Sequence, residues 1–120
     1  ATSNSSITIF GDGEQTRDFV HVSDVVSGLI KCGESLIEYG TLSPAHSEVF
    51  NVCGGHPISL NKIISMIGEL LSSKLEVHYA SPRKGDIMHS FGDSSKLQMM
   101  FKWQPKIGLK EGLNDMINSS

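Results

Sequence analysis

The sequence has 120 residues, of which 38% are hydrophobic, and it contains 12 glycines and 4 prolines. This length supports one modest hydrophobic core and is short for two ordinary domains, so we expect a single globular unit. The formal net charge is −3 and the lysines and arginines are scattered, which excludes the basic stripe that binds nucleic acid. No apolar run is long enough to span a bilayer.

The residues that could serve export, redox chemistry or metal binding form no recognisable pattern. Residues 1–6 lack the charged and apolar regions of a signal peptide, so we expect a disordered segment and a cytoplasmic protein. Cys32 and Cys53 lack CxxC spacing and lie in apolar stretches, which predicts two buried thiols. The five histidines show no metal-ligand spacing, and no metal site is predicted.

The first third of the chain predicts two strands and a helix. Ile7–Phe10 is β-branched and aromatic and is followed by turn residues, which predicts a strand that enters a tight turn. Thr16–Val22 alternates like a second strand. Ser23 is a suitable N-cap for a first helix. The apolar positions of that helix are Val25, Val26, Leu29, Ile30, Leu36 and Ile37.

The remaining elements are predicted from turn residues and apolar spacing, and together they indicate a small mixed α/β domain of short strands and about four helices. They are a loop at Tyr39–Ser47, a strand at Glu48–Val52, a turn at Gly54–Pro57, a helix capped by Ser59, a strand at Leu75–Ala80, a loop at Ser81–Asp86, a short helix ending near Trp103, and a helix at Leu109–Ile117. The helix after Ser59 carries the clearest apolar stripe, at Ile63, Ile64, Ile67, Leu70 and Leu71.

The glycine turn at Gly11–Thr16 begins like the dinucleotide fingerprint GxGxxG after a strand. Its sixth position is Thr16, and the residues that follow are strand-like, so no helix N-terminus is predicted to receive a pyrophosphate. We therefore interpret Gly11 and Gly13 as turn residues with positive φ, and predict no cofactor site in this chain.

Two arginines in or beside glycine-containing loops are candidate anion ligands. Arg17 directly follows the glycine turn, from which a guanidinium can fork onto phosphate oxygens; a surface salt bridge with Asp18 or Glu14 is the alternative. Ser81–Asp86 is a proline- and glycine-containing loop that could place Arg83 on a phosphate and Asp86 on a ribose diol. A solvated turn would have the same sequence.

No catalytic residue is predicted. The sequence contains no GxSxG motif for a nucleophilic serine. Neither Tyr39 nor Tyr79 has a lysine four residues later, since Ser43 and Arg83 occupy those positions. A tyrosine activated by a nearby lysine is therefore absent, and no acid/base pair can be named.

Four phrases in order carry a resemblance that spans nearly the whole chain from Ile7. They are GDGEQTRDFVHVSDVV at 11–26, EVFNVCGGHPISLNKIISMIGELL at 48–71, RKGDIMHSFGDSSKL at 83–97 and WQPKIGLKEGL at 103–113. They resemble the C-terminal portion of the NAD-dependent nucleotide-sugar epimerases and dehydratases, the extended short-chain dehydrogenase/reductases. The resemblance implies that residues 7–118 form the nucleotide-sugar-binding domain, and that the Rossmann half, which carries NAD and the catalytic YxxxK, is not part of this sequence.

The resemblance also implies roles for individual residues. Arg17, Arg83 and Asp86 match positions that contact diphosphate or ribose in the family. Asp24 and Asn51 match recurrent positions that we interpret as structural, Asp24 at a helix start and Asn51 in a backbone hydrogen bond.

The implied parent is a homodimeric NAD-dependent enzyme that resembles UDP-glucose 4-epimerase. UDP-glucuronate decarboxylase and dTDP-glucose 4,6-dehydratase activities stay open. A non-catalytic module that kept the fold is the alternative of another class.

Overall fold

The computed structural model describes residues 6–119, which form four α-helices and five short strands. The mixed α/β class is confirmed. The helices are α1 (Val22–Tyr39), α2 (Leu60–Leu71), α3 (Ser95–Phe101) and α4 (Leu109–Asn118). The strands are β1 (Ile7–Phe10), β2 (Thr16–Arg17), β3 (Ile58–Ser59), β4 (Val77–Ala80) and β5 (His89–Ser90). The segment 1–6, predicted to be disordered, lies outside the described residues except for Ser6.

The strands form two small sheets. β1 pairs with β4 in parallel, with Ile7 opposite Val77 and Phe10 opposite Ala80. In the second sheet β2 lies between β3, which is antiparallel to it, and β5, which is parallel to it. Because parallel strands end at the same edge of a sheet, the turn after β1 and the loop after β4 lie side by side.

The second predicted strand is much shorter than expected. It was predicted over Thr16–Val22, but β2 ends at Arg17 and α1 begins at Val22. The chain leaves the sheet at Asp18, whose Oδ2 accepts a hydrogen bond from the Gly55 amide at 2.8 Å. The predicted N-cap Ser23 is also wrong, because His21 is the N-cap and its Nδ1 accepts the Ser23 amide at 3.2 Å.

The predicted strand at Glu48–Val52 is wrong. These residues have no regular secondary structure. Within residues 6–119, the only backbone–backbone hydrogen bond of this segment runs from the Glu48 amide to the Ala45 carbonyl, and the Val49 carbonyl accepts a hydrogen bond from Lys96 Nζ at 3.0 Å. A strand needs a neighbour to accept and donate along its ladder, and this segment lies beside none. The backbone bond expected of Asn51 is likewise not formed among the described residues.

The four helices are confirmed close to their predicted positions. α2 begins after Ser59, whose Oγ accepts the Lys62 amide at 3.3 Å as predicted for an N-cap. α3 begins beside Asp93, which accepts hydrogen bonds from the side chain and amide of Ser95. These bonds, the side-chain one above all, lower the pKa of Asp93.

The core joins α1, α3 and the segment after α3 around Trp103. Trp103 and Leu97 are almost fully buried. The Trp103 Nε1 donates to the Asp24 carbonyl and to Ser27 Oγ, both at 3.0 Å. Gly28 permits this close approach, because a Cβ there would lie 3.3 Å from Leu97 Cδ2 and 3.4 Å from Trp103 Nε1.

Asp24 is buried and forms hydrogen bonds with residues far from it in sequence. Its two carboxylate oxygens accept the amides of Lys106 and Ile107, each at 3.0 Å. The carboxylate therefore fixes the entry to α4 against α1. Its structural role is larger than the helix-start role inferred from sequence.

One face of α1 is apolar and exposed. The radius of gyration is 18.1 Å, whereas a compact domain of this length has one of roughly 14 Å. α1 buries the face with Asp24 and Gly28 and leaves the opposite face open. The exposed apolar residues on that helix include Val22, Val26, Leu29, Ile30 and Ile37.

Cys32 also lies on α1 and is only half-buried, so the prediction of two buried thiols holds for Cys53 alone. The helix packs on one side only, which explains the exposure of Cys32. Partial burial raises the pKa of its thiol.

We expect Asp24→Asn to lower the free energy of unfolding by about 2 kcal/mol, because one of the two backbone amides would face an NH₂ group instead of an acceptor. Chemical denaturation of the chain measures this. Glu34→Gln, an exposed change on the same helix, is the control and should stay within about 0.5 kcal/mol of the wild type. An equal effect of both variants would contradict the role of the buried carboxylate.

We expect the chain to self-associate through the exposed apolar face of α1. The double variant Leu29→Gln and Ile37→Gln should lower the mean mass measured by light scattering at high protein concentration. Met99→Gln removes an apolar side chain that is equally exposed on α3 and should have little effect. A wild-type chain that scatters as a clean monomer would refute the prediction.

Candidate functional site

The candidate site lies at the shared edge of β1 and β4, where the chain turns away after each strand. Two cavities of about 430 Å³ and 410 Å³ open there, and the second extends along the whole of β1 to Leu60, Ile63 and Ile64 of α2. The residues that line both cavities are Phe10, Gln15, Arg83 and Asp86. Arg17 lines the second cavity only. The three residues predicted from sequence to bind ligand therefore border one cavity.

Arg17 is half-buried and its guanidinium is partly engaged. Its Nη1 donates to the Thr16 carbonyl at 2.8 Å and to the Met88 carbonyl at 3.5 Å. Within residues 6–119 it forms no salt bridge, so the pairing with Asp18 or Glu14 that the sequence left open is not made. Backbone carbonyls orient this guanidinium without neutralising its charge, which leaves it able to attract an anion.

Arg83 lies over the face of the Phe10 ring, with its Cζ 3.9 Å from the ring centroid. The electron-rich ring face attracts the cation and holds it beside the cavity. Within the described part of the chain its guanidinium makes no ion pair. The two arginines therefore give the second cavity two positive charges held by different elements.

Asp86 completes the lining with a carboxylate. The loop that carries it turns tightly, since the Asp86 amide donates to the Arg83 carbonyl at 3.2 Å and Gly85 has a φ of +85°. Asp86 is exposed and, across residues 6–119, its side chain has no hydrogen-bond partner. A carboxylate of this kind can accept hydrogen bonds from ligand hydroxyls.

The glycine turn does not have the geometry of a pyrophosphate site. In the first turn of α2, the Leu60 amide donates to the Gln15 carbonyl at 3.2 Å and the Asn61 amide donates to the Gly13 carbonyl at 3.1 Å. The helix amides that could receive a phosphate are thus engaged by the turn itself. The residues present do not fit the pyrophosphate of a dinucleotide.

Sequence reasoning missed Phe10 and gave no separate role to Gln15. Gln15 Nε2 donates to the Phe10 carbonyl at 2.9 Å and so closes the turn between them. Phe10 is the last residue of β1, and its place next to Arg83 follows from the parallel pairing of β1 with β4. A prediction of that pairing would have brought the two residues together.

Residues 6–119 contain no helix that is long and apolar enough to cross a bilayer. Over the same range, no three His, Cys, Asp or Glu side chains are grouped so that they could hold a metal ion.

The sequence profile of the GDP-mannose 4,6 dehydratase family matches residues 1–116. The chain belongs to this family. The resemblance to the NAD-dependent nucleotide-sugar epimerases and dehydratases is thereby confirmed.

This member of the GDP-mannose 4,6 dehydratase family is similar to several UDP-sugar enzymes. It is 36% identical over 115 residues to UDP-glucuronate 4-epimerase of Thermodesulfobacterium geofontis, covering 95% of this chain and 33% of that protein. The crystal structure of Thermotoga maritima UDP-glucose 4-epimerase with UDP-glucose has a TM-score of 0.82 and 32% identity, over 96% of this chain and 34% of the other.

A third similar structure is Bacillus cereus UDP-glucuronic acid 4-epimerase in complex with UDP-glucuronic acid and NAD. It has a TM-score of 0.80 and 28% identity, over 97% of this chain and 36% of the other. The chain spans about a third of the length of these relatives.

We expect Gly13→Ala to destabilise the chain more than Gly11→Ala. Both residues have positive φ, at +78° and +96°, so each alanine costs about 1 to 2 kcal/mol in backbone strain. At Gly13 the added Cβ would also overlap the Asn61 side chain, whereas at Gly11 its nearest neighbour is Gln15 at 3.8 Å. Denaturation midpoints of the two variants measure the difference, and equal midpoints would contradict it.

Proposed function

We propose that residues 7–118 are the substrate-binding part of an NAD-dependent UDP-sugar 4-epimerase, and that Arg17, Arg83 and Asp86 hold the nucleotide diphosphate. The observation that carries the proposal is that these three residues line one cavity although Arg17 lies on β2 and the other two lie on a loop far from it in sequence. The similar structures that contain UDP-glucose or UDP-glucuronic acid support the ligand class.

The charges at the cavity suit a diphosphate. A guanidinium offers several N–H donors in one plane and keeps its charge at all physiological pH values, so two of them can engage neighbouring phosphate groups. Arg17 approaches from the second sheet and Arg83 from the loop after β4. A diphosphate that contacts both would link these two parts of the chain.

Asp86 and Phe10 suit the nucleoside part. A carboxylate on the same loop as Arg83 can accept hydrogen bonds from two adjacent ribose hydroxyls. The ring of Phe10 presents a face that is now covered by Arg83. When Arg83 turns toward phosphate, this face becomes available to a flat base.

The role of this chain in the reaction is to orient the sugar. In the parent protein, NAD would supply the hydride acceptor, as the NAD complex of the similar Bacillus cereus enzyme suggests. Arg17, Arg83 and Asp86 fix the nucleotide at one end, so that the sugar ring is presented in a limited set of positions. A homodimeric parent, implied by the family resemblance, stays a prediction.

A non-catalytic module is the candidate from another class. It would keep the α/β scaffold and have no need of positive charge at the cavity. The two arginines favour the ligand-binding function, because both line one cavity and neither charge is paired with a carboxylate of the described residues.

We expect the chain to bind UDP weakly, because the remaining two thirds of the relatives' length, and with it the opposite wall of the cleft, contributes no contacts. Arg17→Ala and Arg83→Ala should each weaken binding about tenfold or more, since each removes charge-assisted hydrogen bonds. Titration of ¹⁵N-labelled chain with UDP, followed by NMR, measures the affinities.

Lys84→Ala is the matched control, because Lys84 neighbours Arg83 in the same exposed loop but lines neither cavity. UDP affinity should change little in that variant. If all three substitutions weaken UDP binding equally, the effect comes from net charge and the proposed site is wrong. Stoichiometric NAD uptake by the chain in calorimetry would contradict the assignment of the chain to substrate binding alone.

A further inference from the structure

We propose that Asn61 is a positioning residue that sets the distance between Arg17 and Arg83. It does so by tying the glycine turn that precedes Arg17 to the strand that precedes Arg83. This inference rests on the proposed function, in which both arginines contact one diphosphate.

On one side, Asn61 holds the glycine turn. Its Nδ2 donates to the Asp12 carbonyl at 3.0 Å and also to Glu14 Oε1. Its backbone amide donates to the Gly13 carbonyl at 3.1 Å. Three consecutive residues of the turn are therefore bound by one residue of α2, and the chain passes from them through Gln15 into Arg17.

On the other side, Asn61 holds β4. Its Oδ1 accepts a hydrogen bond from the Tyr79 hydroxyl at 3.0 Å. Tyr79 is followed by Ala80, where β4 ends and the loop with Arg83 begins. The Tyr79 side chain is 59% exposed, and among the described residues its hydroxyl has this one hydrogen bond.

The chemistry of the carboxamide suits this bridge. An asparagine offers two N–H donors and one carbonyl acceptor, and here both kinds of group are used at once. An aspartate would lose the donors and would place a second negative charge beside Glu14. Gly13 leaves the space that the Asn61 side chain occupies, since a Cβ there would overlap it.

Asn61 lines neither cavity, so its effect on a ligand must pass through the segments that it joins. Loss of the bridge removes the side-chain link between the two arginine-bearing segments and leaves them joined only by backbone contacts, the β1–β4 ladder and the hydrogen bond from the Gly11 amide to the Ala80 carbonyl among them, so the arginines are held less firmly relative to each other. A ligand that needs both arginines would be weakened most, while a ligand that needs one would be weakened little.

The test compares Asn61→Ala with the wild-type chain by NMR titration with UDP and with UMP. UDP binding should weaken about tenfold, and UMP binding should weaken much less. In an Arg83→Ala background, Asn61→Ala should have no further effect on UDP. Ser59→Ala is the control, because it removes the N-cap of the same helix and leaves the bridge intact.

A ligand-free measurement accompanies the titration. The Nε–Hε resonances of Arg17 and Arg83 should shift or broaden in Asn61→Ala, although neither arginine contacts that residue. Tyr79→Phe removes only the strand side of the bridge and should change the Arg83 resonance alone. Ser59→Ala should change neither.

The possible outcomes separate the two proposals. A wild-type chain that gives no response to UDP counts against the proposed function, and the arginine resonances then decide the role of Asn61. A wild-type chain that binds UDP with the same affinity as Asn61→Ala overturns the positioning role alone. Equal changes in the arginine resonances of Asn61→Ala and Ser59→Ala also overturn it, because both would then report only loss of helix stability.

Discussion

The first turn of α2 donates its amides to the carbonyls of the glycine turn, and the arrangement of the candidate site depends on this contact. The amides of Leu60 and Asn61 have no partner inside the helix, and the turn supplies Gln15 and Gly13 as acceptors. Gly13 has a positive φ, and a Cβ there would overlap the Asn61 side chain, so this position of the turn requires glycine. The turn is thereby held in one conformation directly before Arg17.

This contact also shows which of two roles the glycine turn has. A turn that presents amides to the solvent binds phosphate through its backbone. Here the turn presents carbonyls to a helix, and under the proposed function anion recognition falls to side chains. Arg17 and Arg83 carry the positive charge, and each is oriented by a contact that leaves the charge in place: backbone carbonyls for Arg17 and the Phe10 ring for Arg83. Under the proposed function, two guanidinium groups held in this way would favour a ligand with two phosphate groups.

The fold was predictable where the signal is local. β1 and α2 follow from β-branched residues and from apolar spacing with a serine cap. The errors at β2 and at 48–52 have one cause, which is that strand propensity cannot reveal whether a pairing partner exists. The same limit hid Phe10 from the candidate site, since its proximity to Arg83 depends on the parallel pairing of β1 and β4. Arg17, Arg83 and Asp86 could be predicted as site residues from the sequence, because turn residues and family motifs are recognised from neighbouring positions in the chain.

The exposed features of the chain share a physical explanation under the proposed function. Three features lack contacts that a chain three times as long could supply. They are the apolar face of α1, the segment 48–52, which pairs with no strand, and the open cavities. An apolar face gains free energy when another surface covers it, and an extended segment gains when a neighbouring strand completes its hydrogen bonds. Ligand binding in the cavity would also be strengthened, because removal of water strengthens the attraction between guanidinium groups and a diphosphate. Docking of the remaining chain would therefore raise ligand affinity and stability together, and the two should be coupled rather than independent properties of this protein.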